Sequence, residues 1–167
     1  MDLVGIFTPM FLKIVHFFIG IISFKCTMGD EAMMEQDIRI LDFIVKTKKD
    51  RIKFELIKNR KELLYNFANV EQYFNLNKTI KDFTRMKSKD IICFLKENSI
   101  SFKNVYILST DDYYDGKILY FSQEVLDNLF SHGFPSIVLF NDEYMLILGE
   151  YELKGYSPKY LLKSNKN

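Results

Sequence analysis

The stretch SIVLFNDEYMLILG, residues 136–149, contains two apolar runs separated by three polar residues, Asn141, Asp142 and Glu143. Polar residues of this kind favour tight turns, and short apolar runs bounded by a turn are typical of strands. The stretch therefore predicts a β-hairpin. It also indicates that an antiparallel sheet forms the centre of the fold.

Neighbouring stretches extend this pattern on the N-terminal side. NVYILS (104–109) and KILYF (117–121) predict two more strands. SQEVLDNLFSHG (122–133) predicts a helix, with a serine in the N-cap position and a glycine at its end. KDIICFLKEN (89–98) predicts another helix, because its apolar residues recur at helical spacing. Strands and helices thus mix throughout this half of the chain.

The preceding region predicts a hairpin followed by a helix. RIKFELI (51–57) alternates apolar and charged residues, and DIRILDFIV (37–45) is a mostly apolar run, so both are predicted to be strands joined by the loop 46–50. A continuous helix from Met34 is the competing interpretation, and the alternation argues against it. NRKELLYNFANVEQYF (59–74) then changes to helical spacing and predicts one helix.

These elements define an α+β fold class. We expect a single domain with a largely antiparallel sheet of about five to seven strands, helices packed on one face, and an apolar helix in front of it. A chain of 167 residues is long enough for one such domain with its own core. We expect residues 1–27 to form the apolar N-terminal segment and residues 28–167 to form the domain.

The N-terminal segment MFLKIVHFFIGIISF, residues 10–24, is almost wholly apolar. A membrane-spanning helix needs about 20 apolar residues, and Pro9 and Lys13 interrupt the longer stretch 3–24. We expect a buried or partner-covered helix and a cytoplasmic protein. The alternative is a targeting or anchoring segment, with residues 3–24 contacting a membrane or directing export.

Charge is balanced overall but unevenly distributed. The formal net charge is +1, which gives no general attraction to nucleic acid. Residues 41–100 contain 14 Lys or Arg and 8 Asp or Glu, whereas residues 101–155 contain 3 and 9. Either the two regions neutralise each other across one domain, or an acidic surface is available to a basic partner. The chain has two cysteines, which excludes a disulfide-rich scaffold.

The stretch STDDYYDGKILYF, residues 109–121, places three aspartates before a glycine. A calcium-binding EF-hand loop starting at Asp111 would need a bidentate glutamate where Ser122 stands, so the ligand set is incomplete. Asp115 and Gly116 instead form a dipeptide typical of two-residue type I′ turns. We therefore interpret this stretch as a hairpin with an acidic rim.

No catalytic, metal or cofactor site is expected from sequence motifs. Asp142 with Glu152 and Lys154 resembles the Asp…Glu-x-Lys spacing of metal-dependent nucleases, but an extended strand would hold the two acids about 30 Å apart. Zinc-binding Cys/His spacing, a G-x-S-x-G motif and a glycine-rich phosphate loop are missing from the sequence. His132 falls in the last turn of a predicted helix, where a cation complements the helix dipole.

The function predicted is therefore non-catalytic protein binding. We expect a module similar to a small inhibitor or toxin-neutralising immunity protein, which binds a basic partner through an acidic, tyrosine-containing surface. The alternatives are a metal-dependent hydrolase or nuclease that uses carboxylates of the C-terminal half, and a membrane-associated protein anchored by residues 3–24. The predicted contact residues are Asp111, Asp112, Tyr113, Tyr114, Asp115, Asp142 and Glu143.

Overall fold

The computed structural model describes residues 35–133, 135–150 and 156–164. From Asp37 onward these residues belong to one compact unit. The predicted N-terminal helix and the predicted domain boundary at residues 27–28 lie outside the described residues. Within the described part of the chain, no helix is both long and apolar enough to cross a membrane.

The centre of the described unit is a six-stranded sheet in which each strand is antiparallel to its neighbours. The spatial order of the strands is β1-β6-β5-β4-β2-β3, which leaves β1 and β3 at the edges. This sheet confirms the predicted α+β class and the predicted number of strands. The strands are β1 (Thr79–Asp82), β2 (Val105–Ser109), β3 (Lys117–Leu119), β4 (Ser136–Phe140), β5 (Tyr144–Leu148) and β6 (Lys159–Lys163).

Three α-helices of the described chain precede the first strand, and two more lie in connections between strands. The two helices predicted in the C-terminal half of the chain are confirmed, and Ser122 caps α5 by accepting a hydrogen bond from the amide of Val125 at 3.2 Å. Gly133 ends α5 at a φ of +67°, a conformation that favours glycine. The α-helices are α1 (Lys49–Lys58), α2 (Arg60–Asn66), α3 (Val70–Tyr73), α4 (Ser88–Glu97) and α5 (Gln123–His132), and 3-10 helices span Ile40–Phe43, Lys46–Lys48 and Leu76–Lys78.

Helices cover both faces of the sheet, which corrects the expectation that they pack on one face. Tyr106 and Leu108 of β2 pack in one core with α1–α3, whereas Val105 and Ile107 pack in a second core with α4 and α5. All five residues of β2 are buried, and the same is true of β4. A strand that is covered on both faces has apolar residues at consecutive positions. The helices on both faces of the sheet therefore explain the apolar runs in the sequence.

The predicted hairpin at residues 37–57 is wrong, because this region is helical. Residues 37–39 are helical, a 3-10 helix follows, and α1 replaces the predicted second strand. Ile52 and Leu56 are both buried, and their separation of four residues places them on one face of a helix. Phe54, which completed the apparent alternation, is 60% exposed. The buried apolar residues therefore follow helical spacing. The exposed Phe54 made the sequence look like the alternating pattern of a strand.

The helix predicted over residues 59–74 is interrupted. The chain forms α2, a turn at residues 67–69 and the short α3. Asn59 precedes α2 but makes no side-chain capping hydrogen bond. The apolar residues that recur at helical spacing in this stretch are all buried. These buried residues are Leu63, Leu64, Phe67, Val70 and Phe74.

Candidate functional site

The loop of residues 110–116, called the acidic loop below, joins β2 to the edge strand β3. The amides of Tyr114 and Asp115 both donate to the carbonyl of Asp111 at 3.0 Å, which winds the loop into a helical turn. Gly116 closes it at a φ of +71° and donates to the carbonyl of Ile107 at 2.9 Å. The predicted hairpin is confirmed by the antiparallel pairing of β2 and β3. The predicted two-residue type I′ turn is wrong, because Asp115 does not have the positive φ that such a turn requires.

Asp115 anchors the acidic loop to helix α2. Its carboxylate accepts a hydrogen bond from Nε of Arg60 at 2.8 Å and another from Nη2 of Arg60 at 3.0 Å. The same carboxylate accepts from the amide of Ser109 at 3.1 Å. A bidentate arginine–carboxylate pair is among the stronger and more directional contacts in proteins. The loop conformation is thus set by a residue of the helical layer as well as by the turn itself.

Arg60 extends this contact into a larger polar network. Its Nη1 binds Asp37, and its Nη2 donates to the hydroxyl of Tyr106 at 3.1 Å, while that hydroxyl donates to Asp37 at 2.5 Å. Burial raises the pKa of Tyr106, and the negative charge of Asp37 raises it further. Burial lowers the pKa of Arg60, but the hydrogen bond to Asp115 and the charge of Asp37 outweigh that effect and raise it. Tyr106 is buried, so this network stabilises the fold and offers no reactive hydroxyl at the surface.

The other two aspartates of the acidic loop also have basic partners. Asp111 lies 3.1 Å from Nδ1 of His132 in the last turn of α5, and it accepts from the amide of Tyr113 at 2.8 Å. Asp112 lies 3.2 Å from Nζ of Lys61 on α2. Asp112 and Asp115 therefore pair with cationic side chains within the domain, and Asp115 shares its cation, Arg60, with Asp37. These pairs account for part of the uneven charge distribution, whereas Asp112 remains exposed at the surface.

The two tyrosines of the loop have opposite surroundings. Tyr114 is 5% exposed, packs in the core with α4 and α5, and accepts a hydrogen bond from Asn128 at 3.1 Å. Tyr113 is 67% exposed, and Nζ of Lys117 lies 3.9 Å from its ring centroid. Of these two predicted contact residues, Tyr113 alone presents its ring to solvent. Sequence alone did not distinguish them, because they are adjacent and identical.

Asp142 and Glu143 lie at the opposite end of the sheet from the acidic loop. They occupy the turn between β4 and β5, where Asn141 adopts a φ of +52°. Asp142 forms an ion pair with Arg39, whereas Glu143 is exposed. The structure therefore separates the seven predicted contact residues into two groups.

Three exposed apolar side chains lie on or beside the edge strand β3. Ile118 is 54% exposed, and Tyr120, two residues further on, is 60% exposed. We call these two residues and Tyr113 of the acidic loop the edge patch, in which Tyr113 packs beside Tyr114 and Lys117 on the other face of the sheet from Ile118. Ile118 lies opposite Tyr106 in the β2–β3 pairing, so both project from the same face of the sheet. Sequence analysis missed Ile118 and Tyr120 because strand periodicity does not reveal which strand lies at an edge.

The two edges of the sheet differ in how they protect their backbone. In β1 the pairing register shifts between Thr79 and Lys81, and the strand ends with a charged pair, Lys81-Asp82. Bulges and charges of this kind discourage another strand from adding to an edge. β3 contains one charge, Lys117, and its described pairing with β2 runs without a register shift. The described part of β3 therefore lacks the bulge and the charged pair of β1, and its protection is its length of three residues.

The described residues contain no group of three or more His, Cys, Asp or Glu side chains that could hold a metal ion. Asp142 lies in the turn before β5, while Glu152 and Lys154 of the nuclease-like spacing lie outside the described residues. Cys93 is exposed and is not in a disulfide.

Comparison of the chain with protein-family models, with curated protein sequences and with solved structures finds no match. Function is therefore inferred from the geometry of the described residues.

Proposed function

We propose that this chain is a non-catalytic protein-binding module, similar in character to a small inhibitor or immunity protein, and that it binds its partner at the edge patch and the adjoining acidic loop. The observation that carries this proposal is the outer side of β3, which has no strand partner among the described residues and is flanked by the exposed side chains of Tyr113, Ile118 and Tyr120. Exposed aromatic and aliphatic side chains beside an unpaired strand edge are typical of strand-addition interfaces.

The partner that fits this edge is an extended segment of another protein. An extended chain beside β3 would satisfy the outward backbone groups, and its alternate side chains would lie on the same face as Ile118. A basic residue of that segment would complement Asp112, which is 87% exposed at its side chain. The present partner of Asp112, Lys61, is also largely exposed, and such surface pairs contribute only about 0–1 kcal/mol. Breaking the pair between Lys61 and Asp112, so that Asp112 binds a cation of the partner, therefore costs little free energy.

The test uses two isoleucines on opposite edges of the same sheet. Full-length wild-type chain, Ile118→Lys and the matched control Ile80→Lys serve as tagged baits in an extract of the native host. Ile80 lies on β1 and is 46% exposed, so both substitutions add one charge at an exposed edge position. Thermal melting of each bait first verifies that it is folded.

We expect a protein retained by wild type and by Ile80→Lys but lost from Ile118→Lys. Hydrogen exchange of the wild-type complex should then show new protection of β3 amides. A bait that retains nothing specific contradicts the proposal. Equal retention by all three baits, or equal loss from both variants, contradicts it as well.

A further inference from the structure

A cleft of about 270 Å³ lies next to β6. In the order of strands across the sheet, β5, β4 and β2 separate β6 from β3. The loop after β1, the C-terminal end of α5 and the residues that lead into β6 form its walls. Three of its lining side chains are basic, namely Arg85, Lys87 and Lys159, and the described lining contains no carboxylate. Neither the sequence motifs nor the proposed protein contact accounts for this concentration of positive charge.

Among the described residues, the basic side chains of the cleft have no acidic partner. Nζ of Lys159 lies 4.3 Å from the ring centroid of Phe130 and 3.4 Å from the carbonyl oxygen of Met86. The guanidinium carbon of Arg85 lies 5.4 Å from the ring centroid of Tyr156. Burial lowers the pKa of Lys159. Among the described residues, Arg85, Lys87 and Lys159 make no ion pair, in contrast to Arg39, Arg60 and Lys61 elsewhere in the domain.

Three aspartates close in the chain to residues around the cleft make local hydrogen bonds. Asp82 accepts from the amide of Thr84 at 2.8 Å, and Asp90 accepts from the amide of Lys87 at 3.2 Å. Asp127 accepts from the hydroxyl of Ser88. The C-terminal end of α5 contributes a partial negative charge of about half a unit, which is small beside three full positive charges. The described lining of the cleft therefore carries three cations that form no ion pair with a described carboxylate.

We propose that this cleft binds the phosphate group of a small molecule. A phosphate monoester carries a charge of about −1.5 to −2 at neutral pH, which matches several cations better than the single charge of a carboxylate. Arginine and lysine are the side chains that most often contact phosphate oxygens, and the rings of Phe130 and Tyr156 provide apolar surface for the rest of the ligand. Ligand pockets usually enclose about 300–1,000 Å³, and this cleft of about 270 Å³ lies just below that range, so it suits a small molecule.

A neighbouring depression restricts where the anionic group would lie. It shares Thr84 and Tyr156 with the cleft but is lined by Glu71 and Glu150. The two glutamates repel an anion, whereas the cleft attracts it. The phosphate group is thus directed to the side of Tyr156 where Arg85 and Lys159 lie.

The experiment titrates the full-length chain with inorganic phosphate, with chloride balancing ionic strength, and follows backbone amide resonances. Glycine amides give a convenient readout, because Gly133 and Gly149 line the cleft whereas Gly116 lies in the acidic loop. We expect saturable shifts at Gly133 and Gly149 and little change at Gly116. Acetate, a singly charged carboxylate, should bind more weakly than phosphate under the same conditions.

The matched variants are Lys159→Gln and Lys163→Gln, which remove the same charge from the same strand. Nζ of Lys163 lies 5.2 Å from the ring centroid of Tyr144, but Lys163 does not line the cleft. Loss of one charge-assisted contact should weaken phosphate binding by about tenfold in Lys159→Gln and leave Lys163→Gln close to wild type. Equal weakening in both variants, acetate binding as tightly as phosphate, or no saturable shift in wild type would overturn the proposal. These outcomes are independent of the edge patch, so either proposal stands or fails alone.

Discussion

Arg60 on α2 contacts both carboxylate oxygens of Asp115, although 55 residues separate them in the chain. The contact joins the first helical layer to the loop that precedes the edge strand. Asp37 and Tyr106 complete the network, so one guanidinium lies between two carboxylates and a phenol. The position of the acidic loop, and with it the start of β3, therefore depends on Arg60.

The first prediction concerns the free energy of unfolding of Arg60→Met. This change leaves Asp37 and Asp115 without their shared cation, and we expect a loss of about 2–4 kcal/mol because both groups are largely buried. The control Lys61→Met removes an exposed pair and should cost at most about 0.5 kcal/mol. Urea unfolding of both variants measures the difference. Similar losses in the two would mean that the network contributes no more than a surface ion pair.

The second prediction concerns alkaline pH and Tyr106. The folded chain holds the phenolic proton more tightly than the unfolded chain, whose tyrosines titrate near pH 10. The stability that this proton provides is fully present below about pH 10 and declines as pH rises towards the higher folded pKa. Tyr106→Phe lacks this group, so the stability difference between wild type and Tyr106→Phe should shrink above about pH 10.

Tyr113→Phe is the control for the alkaline experiment, because its ring is exposed. Its stability difference from wild type should change little between neutral and alkaline pH. Parallel pH profiles for wild type and Tyr106→Phe would show that the hydroxyl of Tyr106 gains no proton affinity on folding.

The sequence predicted the C-terminal half of the fold better than the N-terminal half, for a physical reason. Between residues 104 and 149 the strand runs are apolar at consecutive positions and end at turn residues such as Asn141. In residues 51–57, Ile52, Phe54 and Leu56 fit a strand by alternation, whereas Ile52 and Leu56 alone fit a helix. Which pattern applied depended on whether Phe54 was buried, and local sequence does not determine this.

The candidate sites were less predictable because they depend on contacts between distant residues. The three aspartates of the acidic loop were identified from sequence, but their pairing with Arg60, Lys61 and His132 arises from tertiary packing. Likewise, Arg85 and Lys159 lie 74 positions apart and meet only because β1 pairs with β6. Composition indicated opposite local charges, but it did not indicate which charges remain unpaired.

The third prediction compares two adjacent tyrosines. Tyr114→Ala should lower the free energy of unfolding by about 3–5 kcal/mol, because a buried ring and its hydrogen bond to Asn128 are lost. Tyr113→Ala should change it by no more than about 0.5 kcal/mol, since the ring is mostly in solvent. Chemical denaturation of the two variants provides the measurement. A large loss in Tyr113→Ala would show that this ring contributes to the core.

The fourth prediction compares Gly149 and Gly133, which both line the cleft that we propose to bind phosphate. A Cβ at Gly149 would lie 2.4 Å from Cγ of Pro158, so Gly149→Ala should displace the chain between β5 and β6 and cost about 1–3 kcal/mol. A Cβ at Gly133 meets nothing within 4 Å among the described atoms, and Gly133→Ala carries only the strain of its φ of +67°, about 1 kcal/mol. Gly149→Ala should also weaken phosphate binding more than Gly133→Ala does. A reversed order of stability would contradict the close contact with Pro158.

The last prediction separates the roles of charge and apolar contact at the edge patch. Once a partner is isolated with the wild-type chain, its association and dissociation rates are measured for Asp112→Lys and Ile118→Lys. Asp111 and Asp115 keep their own basic partners, so Asp112 is the one aspartate of the loop that is both largely exposed and weakly paired. Reversing it should slow association with a basic segment at low salt, and the effect should fade as salt screens charges over about 8 Å.

Ile118→Lys should instead speed dissociation, because it removes an apolar contact beside the added strand. If Asp112→Lys leaves association unchanged at every salt concentration, the segment bound at β3 is not basic, and if Ile118→Lys leaves dissociation unchanged, the partner does not contact the edge patch.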